Sequence, residues 1–474
     1  MKICVLQPDY STSGVDYQHY DPARNLAALL PEAQVDHVLL NKLTTYKQLS
    51  ELSKHSYDCF VNLCEGYLEW EVPSIDVIHS LDLLNLPYTG PSAILYDPPK
   101  ALMKYVAYTE GVATPNYVLI DQLNQLEQAI QPLRYPLFVK PSKAGDSLGI
   151  DEQSKADNFE ALYTKVAALL KEYPELLIEE YVDGREFTVL VAADVRNPKQ
   201  CRVFQPIEYL FSKGSAFKTY AMKTSELHPE CNVAVEDPII KNKLTEAAQR
   251  IFRSFGGVGY ARMDFRMDAG ETLYFLEVNF TCSVFYSDGY EGSADYILRL
   301  DGIGQRGFLL HILEEGMARH RKKQKPYKMK GNSISGFGIY ASRDILKDEI
   351  LFKGEEKAQR IVTKKYVEQY WTEEEKRLFR QYAVPLSSEV YILWDLHPSE
   401  WAPQNHCCDP NTAYRGLDLY AVCDITEGEE LTLDYGELLD ENSESFECRC
   451  SSEKCRKEIG GIKGNSITNR EINQ

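Results

Sequence analysis

Short apolar runs alternate with amphipathic stretches through the first 95 residues. Residues 3–6 and 58–63 have the continuous apolar character of buried strands, whereas residues 75–84 place apolar side chains at helical spacing. Strands that alternate with helices are typical of a sheet covered by helices. The pattern therefore predicts a small α/β lobe over residues 1–95.

The next segment, residues 96–318, continues in a mixed α/β style. Residues 135–140 and 176–181 are predicted strands, and residues 259–280 are predicted to form a hairpin whose turn is marked by Asp268, Ala269 and Gly270. A helical tail is expected to about Glu315. This segment is predicted to be a second domain.

A basic run that contains Pro326 follows, and it predicts a solvated linker over residues 319–331. Beyond it the pattern changes to short strands and many loops, which predicts a domain over residues 332–440 and a final segment over 441–474. A chain of 474 residues exceeds what one hydrophobic core usually supports, so several folding units are expected.

Composition and charge narrow the function classes. The chain is 44% hydrophobic and 26% charged, as in an ordinary globular protein, and no apolar run is long enough to cross a membrane. The net charge of −19 argues against a nucleic-acid partner. An acidic surface suits a lysine-bearing polypeptide, although it is more often a solubility feature. Without a secretory signal, a cytoplasmic location is expected, and clustered cysteines predict metal binding.

Polar side chains on the predicted hairpin suggest a magnesium site. The strand period of two puts Arg262 and Asp264 on one face, and Glu277 and Asn279 on one face of the returning strand, with Leu276, Val278 and Phe280 on the other. Carboxylate and amide oxygens suit Mg²⁺, and two buried acids need a cation. Exposed polar strand faces are the alternative, but they do not explain the apolar flanks.

Other features of this half suit a nucleotide. The strand that contains Lys140 runs into a Gly/Ser-containing loop, residues 142–149, whose backbone N–H groups can wrap phosphate oxygens. Lys100 opens a predicted helix and adds a second cation. Residues 177–182 form a strand that can face a purine, and Glu186 follows as an acceptor for ribose hydroxyls. Each feature alone is also typical of an ordinary turn.

Together these motifs resemble the ATP-grasp superfamily, specifically the D-alanine–D-alanine ligase branch. The resemblance covers residues 1–315 and rests on segments 62–66, 87–92, 139–142, 178–181 and 276–279, in family order. It implies an α/β ATP-grasp fold with an N-terminal α/β lobe and two α+β grasp lobes. The implied chemistry is activation of a carboxylate as an acyl phosphate by ATP, followed by attack of an amine.

The resemblance also implies individual roles. ATP is expected at Lys100, Lys140, Ser147, Glu179, Glu180, Val182 and Glu186, where the two lysines hold phosphates, the backbone of Glu180 and Val182 contacts adenine, and Glu186 binds ribose. Magnesium is expected at Asp264, Glu277 and Asn279. Arg262 is expected to stabilise the developing oxyanion. Segments 7–13 and 280–286 depart from the family pattern, so both amino-acid pockets are expected to differ from those for D-alanine.

Three cysteines near the C-terminus have zinc-ligand spacing. Cys448, Cys450 and Cys455 follow a C-x-C-x4-C pattern, and residues 405–411 contain candidates for the fourth ligand. Free buried cysteines are the alternative, which the density of thiols disfavours.

This pairing resembles SET-domain lysine methyltransferases with a post-SET zinc module, over residues 332–456. The resemblance implies a mostly-β fold, with S-adenosylmethionine held by Gly336, Phe337, Gly338, Asn405 and His406. Tyr435 is the implied catalytic residue. Zinc is implied at Cys408, rather than Cys407, with Cys448, Cys450 and Cys455. One family glycine is replaced by Asp348.

The two resemblances predict a bifunctional enzyme that ligates a carboxylate to an amine and methylates an amine, with a protein or peptide lysine as the expected acceptor. The expected partners of the ligase are amino acids, peptides or other small carboxylates and amines. The alternative is a SET methyltransferase whose ATP-grasp half only binds a nucleotide or substrate. No sequence feature supports a purely structural or DNA-binding protein.

Overall fold

The structure is a computed structural model, and it describes residues 1–461 except 12–20, 67–70, 144–147, 196–199, 212–216, 218–228, 333–335, 355–358, 395–403, 442 and 444. The chain divides into two compact units, residues 1–321 and 322–474. Among the described residues, no helix combines the length and apolar character that a membrane crossing needs.

A three-stranded parallel sheet begins the first unit, as the alternating pattern predicted. Its strand order is β2-β1-β3, and buried side chains such as Ile3 and Cys4 pack into separate apolar clusters on its two faces. The elements of this lobe are β1 (Lys2–Pro8), β2 (Gln34–Leu40), α1 (Thr45–Leu52), β3 (Cys59–Asn62) and α2 (Ile75–Leu83).

A four-stranded antiparallel sheet of order β4-β7-β5-β6 follows. Leu162 and Val166 lie on one face of its covering helix and pack against buried strand residues such as Val139 and Ile178. The elements are α3 (Lys100–Thr109), β4 (Tyr117–Ile120), α4 (Leu126–Ala129), β5 (Leu137–Pro141), β6 (Lys155–Ala156), α5 (Phe159–Leu169) and β7 (Leu176–Glu180).

The third lobe is a six-stranded antiparallel sheet of order β11-β10-β8-β12-β13, with β9 paired to β8. Asp237 caps the helix that packs on it, because its carboxylate accepts from the N–H groups of Ile239 and Ile240. The elements are β8 (Arg185–Ala193), β9 (Cys201–Val203), β10 (Ile207–Tyr209), β11 (Asn232–Ala234), α6 (Pro238–Ser254), β12 (Tyr260–Met267), β13 (Leu273–Asn279), α7 (Ser293–Asp301) and α8 (Gly304–Lys323).

The predicted solvated linker over residues 319–331 contains regular secondary structure. Helix α8 continues to Lys323 and a strand begins at Tyr327, which leaves only three residues between regular elements. Arg319 donates to the backbone oxygens of Tyr88 at 2.8 Å and Gly90 at 3.0 Å. Charge composition alone missed this, because a cationic side chain can satisfy buried carbonyl groups as well as face water.

The second unit consists of small sheets around an apolar cluster that includes Ile339, Ile392 and Leu419, and a smaller cluster includes Phe379 and Tyr391. Its sheets are β14-β15, β16-β22-β21, β17-β19-β18, β20-β23 and β24-β25. The elements are β14 (Tyr327–Asn332), β15 (Gly336–Ala341), β16 (Ile350–Phe352), β17 (Gln359–Thr363), α9 (Lys364–Tyr370), α10 (Glu373–Tyr382), β18 (Val384–Pro385), β19 (Val390–Trp394), β20 (Asn405–His406), β21 (Thr412–Arg415), β22 (Asp418–Ala421), β23 (Thr432–Leu433), α11 (Tyr435–Leu438), β24 (Phe446–Glu447) and β25 (Glu458–Ile459).

Candidate active sites

A cleft in the first unit lies between the four-stranded and six-stranded sheets. It holds about 740 Å³ of space, counting its open mouth. Side chains from β5, β7, β8, β12 and β13 line it. Eight of the sequence-predicted site residues are among them, namely Lys140, Glu179, Glu180, Val182, Glu186, Arg262, Asp264 and Glu277.

The two predicted carboxylates are direct cross-strand neighbours. Asp264 on β12 is opposite Glu277 on β13, and the next pair is Phe265 with Phe275. Leu276 is therefore an extra residue in a β-bulge, and it lines the cleft beside Glu277. The sequence prediction that Leu276 faces away from Glu277 is wrong, because strict alternation assumes an uninterrupted ladder.

Cations compensate the adjacent carboxylates. The Lys100 ammonium lies 3.7 Å from Glu277, and the Arg262 guanidinium lies 3.4 Å from Asp264, which also accepts from the Thr188 hydroxyl at 2.9 Å. Two like charges directly opposite each other would otherwise destabilise the sheet. Oxygen ligands of this kind suit Mg²⁺.

Asn279, the third predicted magnesium ligand, is opposite Arg262 in the same ladder. Its side-chain oxygen accepts from the backbone N–H of Thr281 at 2.8 Å and from the Thr281 hydroxyl at 3.1 Å. In this conformation the amide of Asn279 holds the turn that leaves β13. Neither Asn279 nor Lys100 is among the residues that line the cleft. The predicted residue Ser147 lies outside the described residues.

Glu179 lies between two buried lysines. Its carboxylate oxygens lie 2.7 Å from the Lys140 ammonium and 2.6 Å from the Lys104 ammonium. Burial alone would raise the pKa of Glu179, but the charges of Lys104 and Lys140 outweigh it and lower the pKa. Glu179 is therefore ionised. Sequence reasoning missed Lys104, although it lies four residues after Lys100 on one helix face.

Arg266 occupies the end of the cleft next to Glu186. Its guanidinium lies 2.9 Å from the Glu186 carboxylate, donates to the Val182 carbonyl at 2.8 Å and lies over the Tyr181 ring at 4.8 Å. Sequence reasoning missed this residue as well. The signal was available, because Arg266 continues the alternation of Arg262 and Asp264 on β12.

A buried arginine, Arg24, contacts both segments that depart from the family pattern, because its backbone N–H donates to the Gln7 side-chain oxygen at 2.6 Å and its guanidinium donates to the Val284 carbonyl. Arg24 is 4% exposed, and its terminal nitrogens contact Asp21 at 3.1 Å and Glu65 at 3.3 Å. They also donate to the carbonyls of Leu63 and Val284, each at 3.2 Å. Both terminal nitrogens of Arg24 are thus used within the protein, and the segment after β13 is fixed against the N-terminal lobe.

In the second unit, the Asn405 side chain joins two segments that are distant in sequence, one at Phe337 and one at Glu430. Its side-chain amide donates to the Phe337 carbonyl at 2.9 Å and to the Glu430 carboxylate at 2.7 Å. Strand β20 also runs parallel to β23, which pairs Asn405 with Thr432. The predicted cofactor residues Gly336, Phe337 and Asn405 are thereby brought together, and Gly336 has a φ of 88° that favours glycine.

His406 lies between Tyr435, the predicted catalytic residue, and the thiols of Cys408 and Cys448. Its Nδ1 accepts from the backbone N–H of Tyr435 at 3.1 Å, so we assign the ring proton to Nε2, which lies 3.2 Å from the Cys408 sulfur. The Tyr435 hydroxyl donates to the Gln404 carbonyl. Burial raises the pKa of Tyr435 to about 12, so this hydroxyl stays protonated at neutral pH.

Three of the four predicted zinc ligands, Cys408, Cys448 and Cys450, cluster in space with His406, which was predicted to hold the cofactor instead; Cys455, the fourth predicted ligand, is not part of this group. The donor atoms of His406, Cys408, Cys448 and Cys450 all lie within 4.8 Å of one another, and the Cys455 thiol contacts the Cys448 carbonyl at 3.9 Å. The Cys408 and Cys448 sulfurs are 3.8 Å apart. Zn–S bonds of about 2.3 Å in a tetrahedron give sulfur–sulfur distances of about 3.8 Å, so the thiols fit zinc.

Asp348 replaces a family glycine in the opening segment. Its φ is 65°, in the left-handed region that favours glycine. Aspartate is one of the few other residues that tolerate this conformation. The substitution therefore leaves the local backbone path intact.

Comparison with known proteins supports both domains. A family model described as D-ala D-ala ligase C-terminus matches residues 106–284, and a SET domain model matches residues 336–436. A D-alanine–D-alanine ligase from Delftia acidovorans is 30% identical over 240 residues, which are 49% of this chain and 69% of that protein. D-alanine–D-alanine ligase B from Chromobacterium violaceum is 27% identical over 240 residues, which are 49% of this chain and 73% of that protein.

About two thirds of the chain also has the fold of a solved structure. A D-alanine–D-alanine ligase from Bacillus anthracis, complexed with ATP, matches with a TM-score of 0.50 and 18% identity, over 68% of this chain and 99% of that one. Fold and site thus define an ATP-grasp ligase domain and a SET methyltransferase domain in one enzyme. The chain belongs to the D-alanine–D-alanine ligase family and carries a SET domain in its second unit.

Proposed function

We propose that this protein is a bifunctional enzyme. Its first unit ligates a carboxylate to an amine at the expense of ATP, and its second unit transfers a methyl group from S-adenosylmethionine to an amine, with a protein or peptide lysine as the favoured acceptor. The observation that supports the ligase most strongly is the cross-strand pair of Asp264 and Glu277 in a cleft with Lys140 and Arg262.

In the ligase reaction, a carboxylate oxygen forms a bond to the γ-phosphorus as the bond to ADP breaks. The amine nitrogen then attacks the acyl phosphate, inorganic phosphate leaves and the nitrogen loses a proton. Lys100 and Lys140 neutralise phosphate charge, and Arg262 stabilises the oxyanion. Magnesium, when held by Asp264, Glu277 and Asn279, would add charge neutralisation at the phosphates.

In the methyl transfer, the lone pair of a neutral amine forms the new N–C bond while the C–S bond of the sulfonium breaks. Gly336, Phe337, Gly338, Asn405 and His406 hold the cofactor, and the Tyr435 hydroxyl helps orient the nitrogen in line. We further propose that Cys408, Cys448, Cys450 and Cys455 bind zinc, which would supply structural support. Such thiolates need a reducing compartment, so we propose the cytoplasm.

Trapping with hydroxylamine tests the ligase proposal. Purified protein is incubated with Mg–ATP, hydroxylamine and pools of amino acids, peptides or other small acids, and hydroxamates are measured by mass spectrometry. An acyl phosphate should give an acid-dependent hydroxamate together with ADP, and Asp264→Asn should abolish both. ATP binding without acid-dependent turnover in any pool would refute ligation. Labelled S-adenosylmethionine with cell extract identifies the methyl acceptor in parallel.

The alternative is a methyltransferase whose ATP-grasp half only binds a ligand. The departure of segment 280–286 from the ligase pattern favours it, and Arg24 holds this segment through the Val284 carbonyl at 3.2 Å. Under this alternative, Mg–ATP would bind without turnover and would alter the rate of methyl transfer. Hydroxamate formation that does not depend on the methyl-transfer site would exclude this alternative.

A further inference from the structure

Lys104 is a buried lysine that contacts the cleft residue Glu179 and has no assigned role. It lies on α3 one turn after Lys100 and is 1% exposed. Its ammonium lies 2.6 Å from one oxygen of Glu179 and 5.4 Å from the centre of the Tyr117 ring. The second oxygen of Glu179 is 2.7 Å from Lys140. One carboxylate thus joins two lysines in an interior site.

This arrangement puts two demands on Lys140. The proposed mechanism requires its ammonium at a nucleotide phosphate, yet in the structure the same ammonium is paired with Glu179. Burial would lower the pKa of Lys140, but Glu179 and Glu277 outweigh burial and raise it, so Lys140 is charged and available to either partner.

The buried position of Glu179 makes the competition important. A buried carboxylate without a counter-ion is strongly unfavourable, so Glu179 needs a cation at all times. If Lys140 were its only partner, phosphate binding would have to break that pair and strand the carboxylate. Because Lys104 holds the other oxygen of Glu179, the carboxylate keeps one cation when Lys140 turns to the nucleotide.

We propose that Lys104 is a positioning residue that serves as the standing counter-ion of Glu179 and so releases Lys140 to bind the phosphates of a nucleoside di- or triphosphate. This inference rests on the proposed nucleotide site and names a residue that acts through Glu179 and Lys140. It predicts that loss of Lys104 weakens recognition of the phosphates and leaves recognition of the nucleoside unchanged.

Calorimetry of Lys104→Met with adenosine, Mg–ADP and a magnesium complex of a non-hydrolysable ATP analogue tests the proposal. Affinity for both phosphorylated ligands should fall about tenfold or more, while affinity for adenosine stays the same and reports on folding. Adding Glu179→Gln to Lys104→Met removes the carboxylate that competes for Lys140 and should restore phosphate affinity to within about threefold of the wild type.

Lys165→Met is the matched control. Lys165 is also buried, at 6% exposed, but its ammonium pairs with Asp151 at 2.9 Å, whereas that of Lys104 pairs with the cleft residue Glu179. It should leave all three affinities unchanged.

The possible outcomes separate the claims. Wild-type phosphate affinity in Lys104→Met, an equal loss for adenosine, or no rescue by Glu179→Gln would overturn the role of Lys104. If Lys104→Met alone does not fold, the double variant Lys104→Met with Glu179→Gln, which lacks both charges of the pair, tests the proposal. A loss of phosphate affinity in this double variant would contradict it. Failure of the wild type to bind the ATP analogue would instead refute the nucleotide site itself.

Discussion

The thiol cluster of the second unit gives the sharpest prediction about stability. We expect Cys450→Ser to remove zinc and to unfold the segment that contains β24 and β25. Burial alone would raise the pKa of Cys450, but hydrogen bonds from the backbone of Cys408 and Ser452 lower it to about 6, so this thiolate is present at neutral pH.

The magnitude follows from how little else holds this segment. Strands β24 and β25 form an isolated two-residue pair, and such pairs are marginal in water. Ile459 is 2% exposed, and full burial of an isoleucine contributes about 1.5–3 kcal/mol. Zinc binding in small modules contributes about 10 kcal/mol or more. Without the metal, the remaining contacts should not keep the segment folded.

Metal analysis and hydrogen exchange check this expectation. Wild-type protein should contain one zinc per chain. In Cys450→Ser, the Cys448 amide, which donates to the Lys457 carbonyl at 2.7 Å, should exchange at least about 100-fold faster, the factor that a loss of only about 2.7 kcal/mol produces. Cys423→Ser is the control, because this exposed thiol of the same unit lies outside the cluster.

The unfolding of this segment in Cys450→Ser should also disturb the methyl-transfer site. Phe446 packs against the rings of His406 at 5.6 Å and Tyr435 at 5.9 Å. Cys450→Ser should therefore lose methyl transfer along with zinc. Because His406 carries its proton on the nitrogen that faces Cys408, this nitrogen is not a zinc ligand, and we expect His406→Asn to keep zinc. Cys455 is one of the predicted ligands, so Cys455→Ser should lose zinc. Wild-type zinc content and exchange rates in Cys450→Ser would refute the reasoning.

Three further predictions concern the two active sites. Asp264→Asn combined with Glu277→Gln should abolish magnesium-dependent nucleotide affinity, measured by calorimetry. The control is Glu208→Gln, which should keep this affinity, because Glu208 is paired with Arg185 elsewhere in the same sheet. Unchanged affinity in the double variant would contradict the magnesium assignment. Tyr435→Phe should lose methyl transfer and keep S-adenosylmethionine binding. The rate of methyl transfer by the wild type should rise with pH as the acceptor amine loses its proton. Since burial raises the pKa of Tyr435 to about 12, this rate should not fall through tyrosine ionisation below about pH 10. A fall at lower pH would count against the assignment of Tyr435. Arg266→Met should weaken ATP binding about tenfold and reduce discrimination against 2′-deoxy-ATP, because Glu186 loses the partner that fixes its carboxylate. If the ratio of the affinities for ATP and 2′-deoxy-ATP stays the same as in the wild type, Arg266 does not position Glu186.

Local patterns in the sequence predicted much of this molecule. Periodicity of two on β12 placed Arg262 and Asp264 on one face, and the structure has both in the cleft. The spacing of Cys448, Cys450 and Cys455 indicated a metal site, and donor atoms from this segment do meet those of residues 406 and 408. These predictions needed only neighbours along the chain, where backbone geometry fixes which side chains share a face.

What the sequence alone determined is the set of chemical groups and the elements that present them. Tertiary structure decided how those groups are partnered. Glu179 lies 75 residues after Lys104, and Val284 lies 260 residues after Arg24. Neither contact can therefore be predicted from neighbouring residues in the sequence. The bulge that turns Leu276 into the cleft likewise depends on how β13 pairs with β12. Such pairings follow from the energetic need to give every buried charge and backbone group a partner, and that requirement is met only once distant segments pack together.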